Sequence, residues 1–393
     1  MTEDLLSKLD NAYTLRLLED MISINSIVGQ EGDLAEYLRN ELEALGMKCE
    51  MDEVEPDRPN VYARLNGRSS SGRRLHYNGH TDTVEIVDGW ETDPFKPIVK
   101  DNKMYGLGSC DMKAGIACIL NMLRSVVESG HNFKGELSFS AVIDEEAYGK
   151  GAKALLKTDY AKVDAIVLAE PYPGDEEMPI PLGITGKILY DIHVKGKAAH
   201  GFRPYLGINA IEESAKILAN LDKLSFKDHP KFGIGNYSTL KIEGGYKVYS
   251  VIVPANVRFE VNRLIVPGET VQTAIEDMER LVESLNLKAE VEVKTKPPRY
   301  EAYVMDKNEP IIQVFDSVYT DVMGQTPFYD YSRGITDANI FAGEGGIPCL
   351  HLGPGRDKGK GGAHQKNEYV RLEWLPLISK MYALIAARFL DND

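Results

Sequence analysis

A chain of 393 residues is long enough for two domains, each with a core of its own. Hydrophobic residues make up 43% and charged residues 27%, as in soluble globular proteins, and 60 acidic against 45 basic residues set a formal charge of -15. Without a basic stripe to meet phosphates, nucleic acid and membrane surfaces are not expected as partners, and no apolar run reaches the length of a membrane span. Cys49, Cys110, Cys118 and Cys349 are scattered without CxxC spacing, which argues against a disulfide framework or a cysteine-rich zinc knuckle. The opening Met1-Thr2-Glu3-Asp4-Leu5-Leu6 lacks the apolar core of a secretory signal, so a cytoplasmic setting is expected.

Taken in order, residues 2–27 and 31–46 carry leucines at helical spacing, including Leu17, Leu18, Leu34, Leu38 and Leu42, and predict two amphipathic helices. Strand-like runs follow at 61–65 and 74–78, then a helix over about 114–128. Further strands are expected at 136–143, ending in Asp144-Glu145-Glu146, and at 165–169, ending in Glu170-Pro171. Strands alternating with helices predict an α/β fold with a largely parallel sheet, whose functional groups collect at the carboxyl ends of its strands. From Ile184 the texture changes to strand, helix, strand, strand, helix, strand, an inserted α+β domain over 184–297 with hinge-like Pro297-Pro298 at its end. Residues 1–183 and 298–393 then form the first domain.

The chemistry starts at Leu75-His76-Tyr77-Asn78-Gly79-His80-Thr81-Asp82, where a strand presents His80 and Asp82 at its end. Imidazole is a favoured zinc ligand, best when its second nitrogen donates to a fixed acceptor, which Asp82 can supply. Gly106-Leu107-Gly108-Ser109-Cys110-Asp111 begins like a dinucleotide loop, but Asp111 stands where a third glycine is needed. Asp111 alone would read as a helix N-cap; beside His80 it is a ligand candidate. In Asp144-Glu145-Glu146, Asp144 reads as a solvated loop carboxylate, while one of Glu145 and Glu146 binds metal and the other stays free to carry protons. Glu170 and His364, in Gly361-Gly362-Ala363-His364-Gln365, complete the set. His76 lies on the same strand face as His80 but well behind it, and is expected to be structural. Cys110 reads as a packed small hydrophobe.

Together, HTDTV, GSCDMKAG, DEE, AEP and GGAHQKNEYV resemble the zinc-dependent family of acetylornithine deacetylase, succinyl-diaminopimelate desuccinylase, aminoacylase and glutamate carboxypeptidase, over nearly the whole chain. The resemblance implies a zinc-peptidase-like catalytic domain, with the insert as lid and dimerisation domain. It implies two Zn²⁺ per subunit, with Co²⁺ or Mn²⁺ also suited to His and carboxylate ligands. His80 and Glu170 would hold one ion, Glu146 and His364 the other, with Asp111 bridging. Asp82 would orient His80, Glu145 would be general base and acid, and His200 would reach the neighbouring subunit's site in a homodimer. Arg263 and the loop of Arg333, Gly334 and Thr336 would hold a substrate carboxylate. The sequence departs from the desuccinylase pattern at Arg333, Ile335 and Ser250, which puts that particular substrate in doubt while leaving the ligand set whole.

The expected function is a dinuclear-zinc amidohydrolase of amino-acid metabolism that cleaves an N-acyl amino acid. A dipeptidase or carboxypeptidase using the same centre is the second reading, and a non-catalytic metal-binding scaffold the third.

Overall fold

Every residue from Leu75 to His80 is buried in the strand Arg74–His80, the pattern of a strand covered on both faces. The structure is a computed structural model that describes residues 2–69, 71–248, 250–359 and 361–391. The chain divides into two units: Met1–Leu182, Met305–Asp330 and Thr336–Asp393 form the first, and Gly183–Val304 with Tyr331–Ile335 the second. The terminal Met1, Asn392 and Asp393 of the expected first domain lie outside the described residues.

The first unit is built on a six-stranded sheet in the order Cys49–Glu55, Arg58–Leu65, Glu136–Val142, Arg74–His80, Ala165–Leu168, Cys349–His351. The last four run parallel and the first two are antiparallel, so the sheet is mixed and largely parallel, as the alternation of elements predicts. The helices Ala114–Ser129 and Trp374–Asp391 pack on each other and on the His80 strand, and Gly32–Ala44 lies against Arg58–Leu65. Gly115 makes one of these contacts possible: a Cβ there would meet the carbonyl oxygen of Ala169 at 2.2 Å, so only glycine brings the helix start beside the Glu170 strand end. No described helix is long and apolar enough to cross a membrane.

The second unit is a four-stranded antiparallel sheet, Asn236–Gly244, Asn256–Ile265, Gly186–Lys195 and Glu290–Tyr300, with the helices Ala210–Leu218 and Val271–Ser284. Burial alternates strictly along Asn256–Ile265, and Tyr190, Ile192, Phe259, Val261 and Met278 fill the core. Pro297-Pro298 is not the return point between units. Glu290–Tyr300 runs through the proline pair as an outermost strand, where the register shifts between Lys296 and Tyr300 and no partner needs the missing N–H groups. The chain crosses back at Val304 and Met305 instead.

Candidate metal centre

His80 is the last residue of its strand and is 2% exposed. Its Nδ1 lies 2.9 Å from the main-chain carbonyl oxygen of Asp82, which leaves Nε2 facing Asp111 Oδ1 at 3.2 Å. The expected tie between Asp82 and His80 is therefore made mainly through the backbone, since the Asp82 carboxylate stands 3.8 Å from Nδ1. That carboxylate accepts the amide N–H groups of Glu145 at 3.1 Å and Glu146 at 2.9 Å. One residue thus fixes both the imidazole and the turn that carries the two glutamates.

Asp111 is not a helix cap. The cap position of the helix Ala114–Ser129 is Lys113, and no side chain caps it. With its carboxylate free of that task, Oδ1 meets His80 and Oδ2 stands 4.0 Å from His364 Nε2. His364 Nε2 is also 2.8 Å from Glu146 Oε2. One donor atom from each of His80, Asp111 and Glu146 lies within 4.8 Å of the others. Cys110 is buried with its thiol turned weakly to Pro354, and burial pushes that thiol well above its ordinary pKa.

Glu170 is 5% exposed; burial first, then the charge of Asp111, raises its pKa well above the ordinary carboxylate value. Glu145 is raised in the same way, by burial against the opposing pull of His80, with Glu170 and Glu146 adding to the rise. Asp111 also feels the positive charge of Arg356, after the bond to His80 and the charges of His80 and His364. Crowded carboxylates repel unless protons or cations separate them, and two imidazoles among them make a mixed N/O donor set suited to Zn²⁺, Mn²⁺ or Co²⁺. The residues present fit such ions.

Two supports were not visible from local sequence. Asp144 is 1% exposed rather than solvated, because Arg58 Nη2 pairs with it at 2.9 Å while also binding the fully buried Glu31 at 2.6 Å. Asp144 sits at φ 70° and accepts from the amides of Tyr148 and Lys150, so this triad anchors the start of the glutamate turn. The second support is Glu368, which accepts the amide N–H groups of Gly108, Cys110 and Asp111 at 2.9, 2.9 and 3.0 Å. Its place in the same motif as His364 was the available signal.

The remaining expected site residues have other partners. Arg263, 1% exposed in the second unit, pairs with Asp277 at 2.8 Å and Glu269 at 2.7 Å and donates to the Ser225 carbonyl. A guanidinium so enclosed is a core ion pair, which corrects the expectation of a carboxylate clamp. Arg333 donates to the Phe232 carbonyl, and Gly334 donates its N–H to Ser332 Oγ. Thr336 is buried in the first unit with its hydroxyl 3.0 Å from His351 Nε2. His200 is exposed in the second unit, its Nδ1 accepting from the Phe202 amide at 3.2 Å.

Residues 76–388 match the sequence profile of peptidase family M20/M25/M40. The N-formyl-4-amino-5-aminomethyl-2-methylpyrimidine deformylase of Bacillus subtilis (strain 168) is 27% identical over 380 residues, covering 88% of this chain and 86% of that protein. The succinyl-diaminopimelate desuccinylase of a Nitratiruptor species is 29% identical over 300 residues, 73% of this chain and 77% of its own. A solved dinuclear metal binding peptidase from the M20 family, from Bacillus subtilis, shares the fold with a TM-score of 0.72 at 20% identity, over 98% of this chain and 100% of that one. With a profile match that spans most of its length, the chain belongs to peptidase family M20/M25/M40.

Proposed function

We propose that this chain is a dinuclear-zinc hydrolase that removes the acyl group from an N-acyl amino acid. The observation that carries this reading is the convergence of His80, Asp111, Glu146 and His364, with Glu170 in electrostatic reach. His80 and Glu170 would hold one ion and Glu146 and His364 the other, with Asp111 shared. Bound there, the ion pair would lower the pKa of a water and stabilise negative charge on the substrate oxygen.

The protein's own part falls to Glu145. The hydrogen bond from its amide N–H to the Asp82 carboxylate fixes the turn from which it projects. It would take the proton of the attacking water and pass it to the departing nitrogen, a role worth about 10² to 10⁴ in rate. Asp82 positions His80 and both glutamates. Two relatives named as a deformylase and a desuccinylase favour the deacylase reading over a dipeptidase or carboxypeptidase. Substrate carboxylate recognition would fall to the Arg333 loop, since Arg263 is enclosed.

The exposed Leu240 and Ile242 lie on the outermost strand Asn236–Gly244 of the second unit, and Phe202 and Tyr205 are 83% and 78% exposed. An unpaired apolar edge of this kind supports a homodimer through that unit, with His200 serving the partner's site. The four free cysteines fit a reducing, cytoplasmic setting.

A panel of N-formyl, N-acetyl and N-succinyl amino acids beside dipeptides tests the substrate class. Turnover of N-acyl amino acids is expected; turnover of dipeptides alone would move the assignment to the second reading. For the mechanism, Glu145→Ala should lower kcat by about 10² to 10⁴ with both metals still bound. Unchanged kcat would remove Glu145 from its role.

A further inference from the structure

Glu368 is 2% exposed, and three N–H groups close on its carboxylate from a single turn. Oε2 takes the Gly108 amide, and Oε1 takes those of Cys110 and Asp111. Gly108 permits this convergence by adopting φ 74°, in the left-handed region, which aims successive amides at one anion. The Glu368 carbonyl also accepts the Gly106 N–H at 3.1 Å, so both ends of the turn are fastened to one residue. Immediately beyond, Tyr369–Arg371 pairs as a strand with Lys103–Tyr105, the segment that leads into the turn. From behind, the buried Lys113 donates to the carbonyls of Met21 and Ile24 at 2.8 and 3.0 Å and pins the exit of the turn to the N-terminal helices.

The consequence lies in what the clasp joins. Four residues before Glu368 stands His364; the last amide that Glu368 holds is that of Asp111. The carboxylate of Glu368 is met by three amide dipoles of the Asp111 turn, with the buried Lys113 ammonium in electrostatic reach. We propose that Glu368 is a positioning residue that holds Asp111 in its ligating orientation and ties it to the His364 segment, so that the affinity of the centre for its second ion depends on this clasp. This rests on the dinuclear reading above. Charge-assisted bonds to several amides are stronger and more directional than neutral ones, and supports behind a ligand are commonly worth about 10- to 100-fold in metal affinity.

Glu368→Gln tests it. If the amide oxygen keeps Cys110 and Asp111, the –NH₂ faces the Gly108 N–H, donor against donor, and the turn opens. Zinc titration of the metal-free full-length protein should give two ions for the unaltered chain and an affinity about 10- to 100-fold weaker for the second ion in the variant. Activity should return with excess zinc at an unchanged KM, and the visible spectrum of the Co²⁺ form should differ from that of the unaltered protein. Equal affinity with an identical Co²⁺ spectrum would overturn the proposal, whatever happens to thermal stability. If the glutamine variant does not fold, Glu368→Asp keeps the charge but is too short to span all three amides. It should then show the same loss in smaller measure, and full affinity in Glu368→Asp would equally overturn the proposal. Fewer than two ions in the unaltered chain would instead refute the dinuclear reading itself.

Discussion

His76 and His80 share one strand and have opposite environments. His76 is closed between Ser138 and Ser140 at 2.8 and 2.7 Å, and burial pulls its pKa down to about 3. Burial likewise lowers His351 to about 3. At His80 burial also opposes the proton, but the bond to Asp111 and the charges of Asp82 and Glu145 outweigh it and raise the pKa. Both buried neutral histidines take up protons on unfolding, so their stabilising effect is full above an ordinary value of 6.5 and is lost as pH falls from there toward 3. Each contributes a slope of at most about 1.4 kcal/mol per pH unit. In metal-free protein, denaturant unfolding at pH 6.5 and 4.5 should show less loss for His76→Gln than for the unaltered chain. Identical losses would show that His76 is protonated in the fold. The structural expectation for His76 was legible because strand rise puts it far behind the ligand end; its serine partners were not, since they belong to a strand 62 residues on.

At the scale of elements, the glutamate turn depends on an arginine from the antiparallel side of the sheet. Arg58 holds Glu31 and Asp144, both essentially without exposure. Arg58→Met strands two buried carboxylates and should cost about 3 to 5 kcal/mol in denaturant unfolding. Removing Arg16, whose pairs with Asp20 and Glu41 lie at the surface, should cost under about 1 kcal/mol. Equal losses would contradict the triad's role. The sequence made the strand ends readable, because apolar runs stop at HTD, DEE and AEP, where ligands must stand. It concealed the triad because Arg58 and Asp144 are 86 residues apart and neither carries a local mark of its partner. The enclosure of Arg263 was hidden for a related reason: Asp277 and Glu269 fall on the helix that follows it and on that helix's approach, a pairing set by packing rather than by strand pattern.

For the whole molecule, the chain is an M20-family hydrolase of amide bonds, and the expected ligands come from five separated segments of the first unit. Ions that bind only the folded state stabilise it, by about 2.7 kcal/mol at a free concentration one hundred times Kd. Chelation should accordingly lower the Tm, and zinc should restore it. On the second unit, Leu240→Asp with Ile242→Lys should convert a dimer to a species near the chain mass of 43.7 kDa by light scattering. A monomer of that mass in fully active unaltered protein would contradict the assembly. Elemental analysis of zinc-reconstituted protein tests the dinuclear centre itself. Two ions per chain are expected, falling to one or none in Asp111→Ala. One ion or none in the unaltered chain, or two still bound in Asp111→Ala, would contradict that expectation.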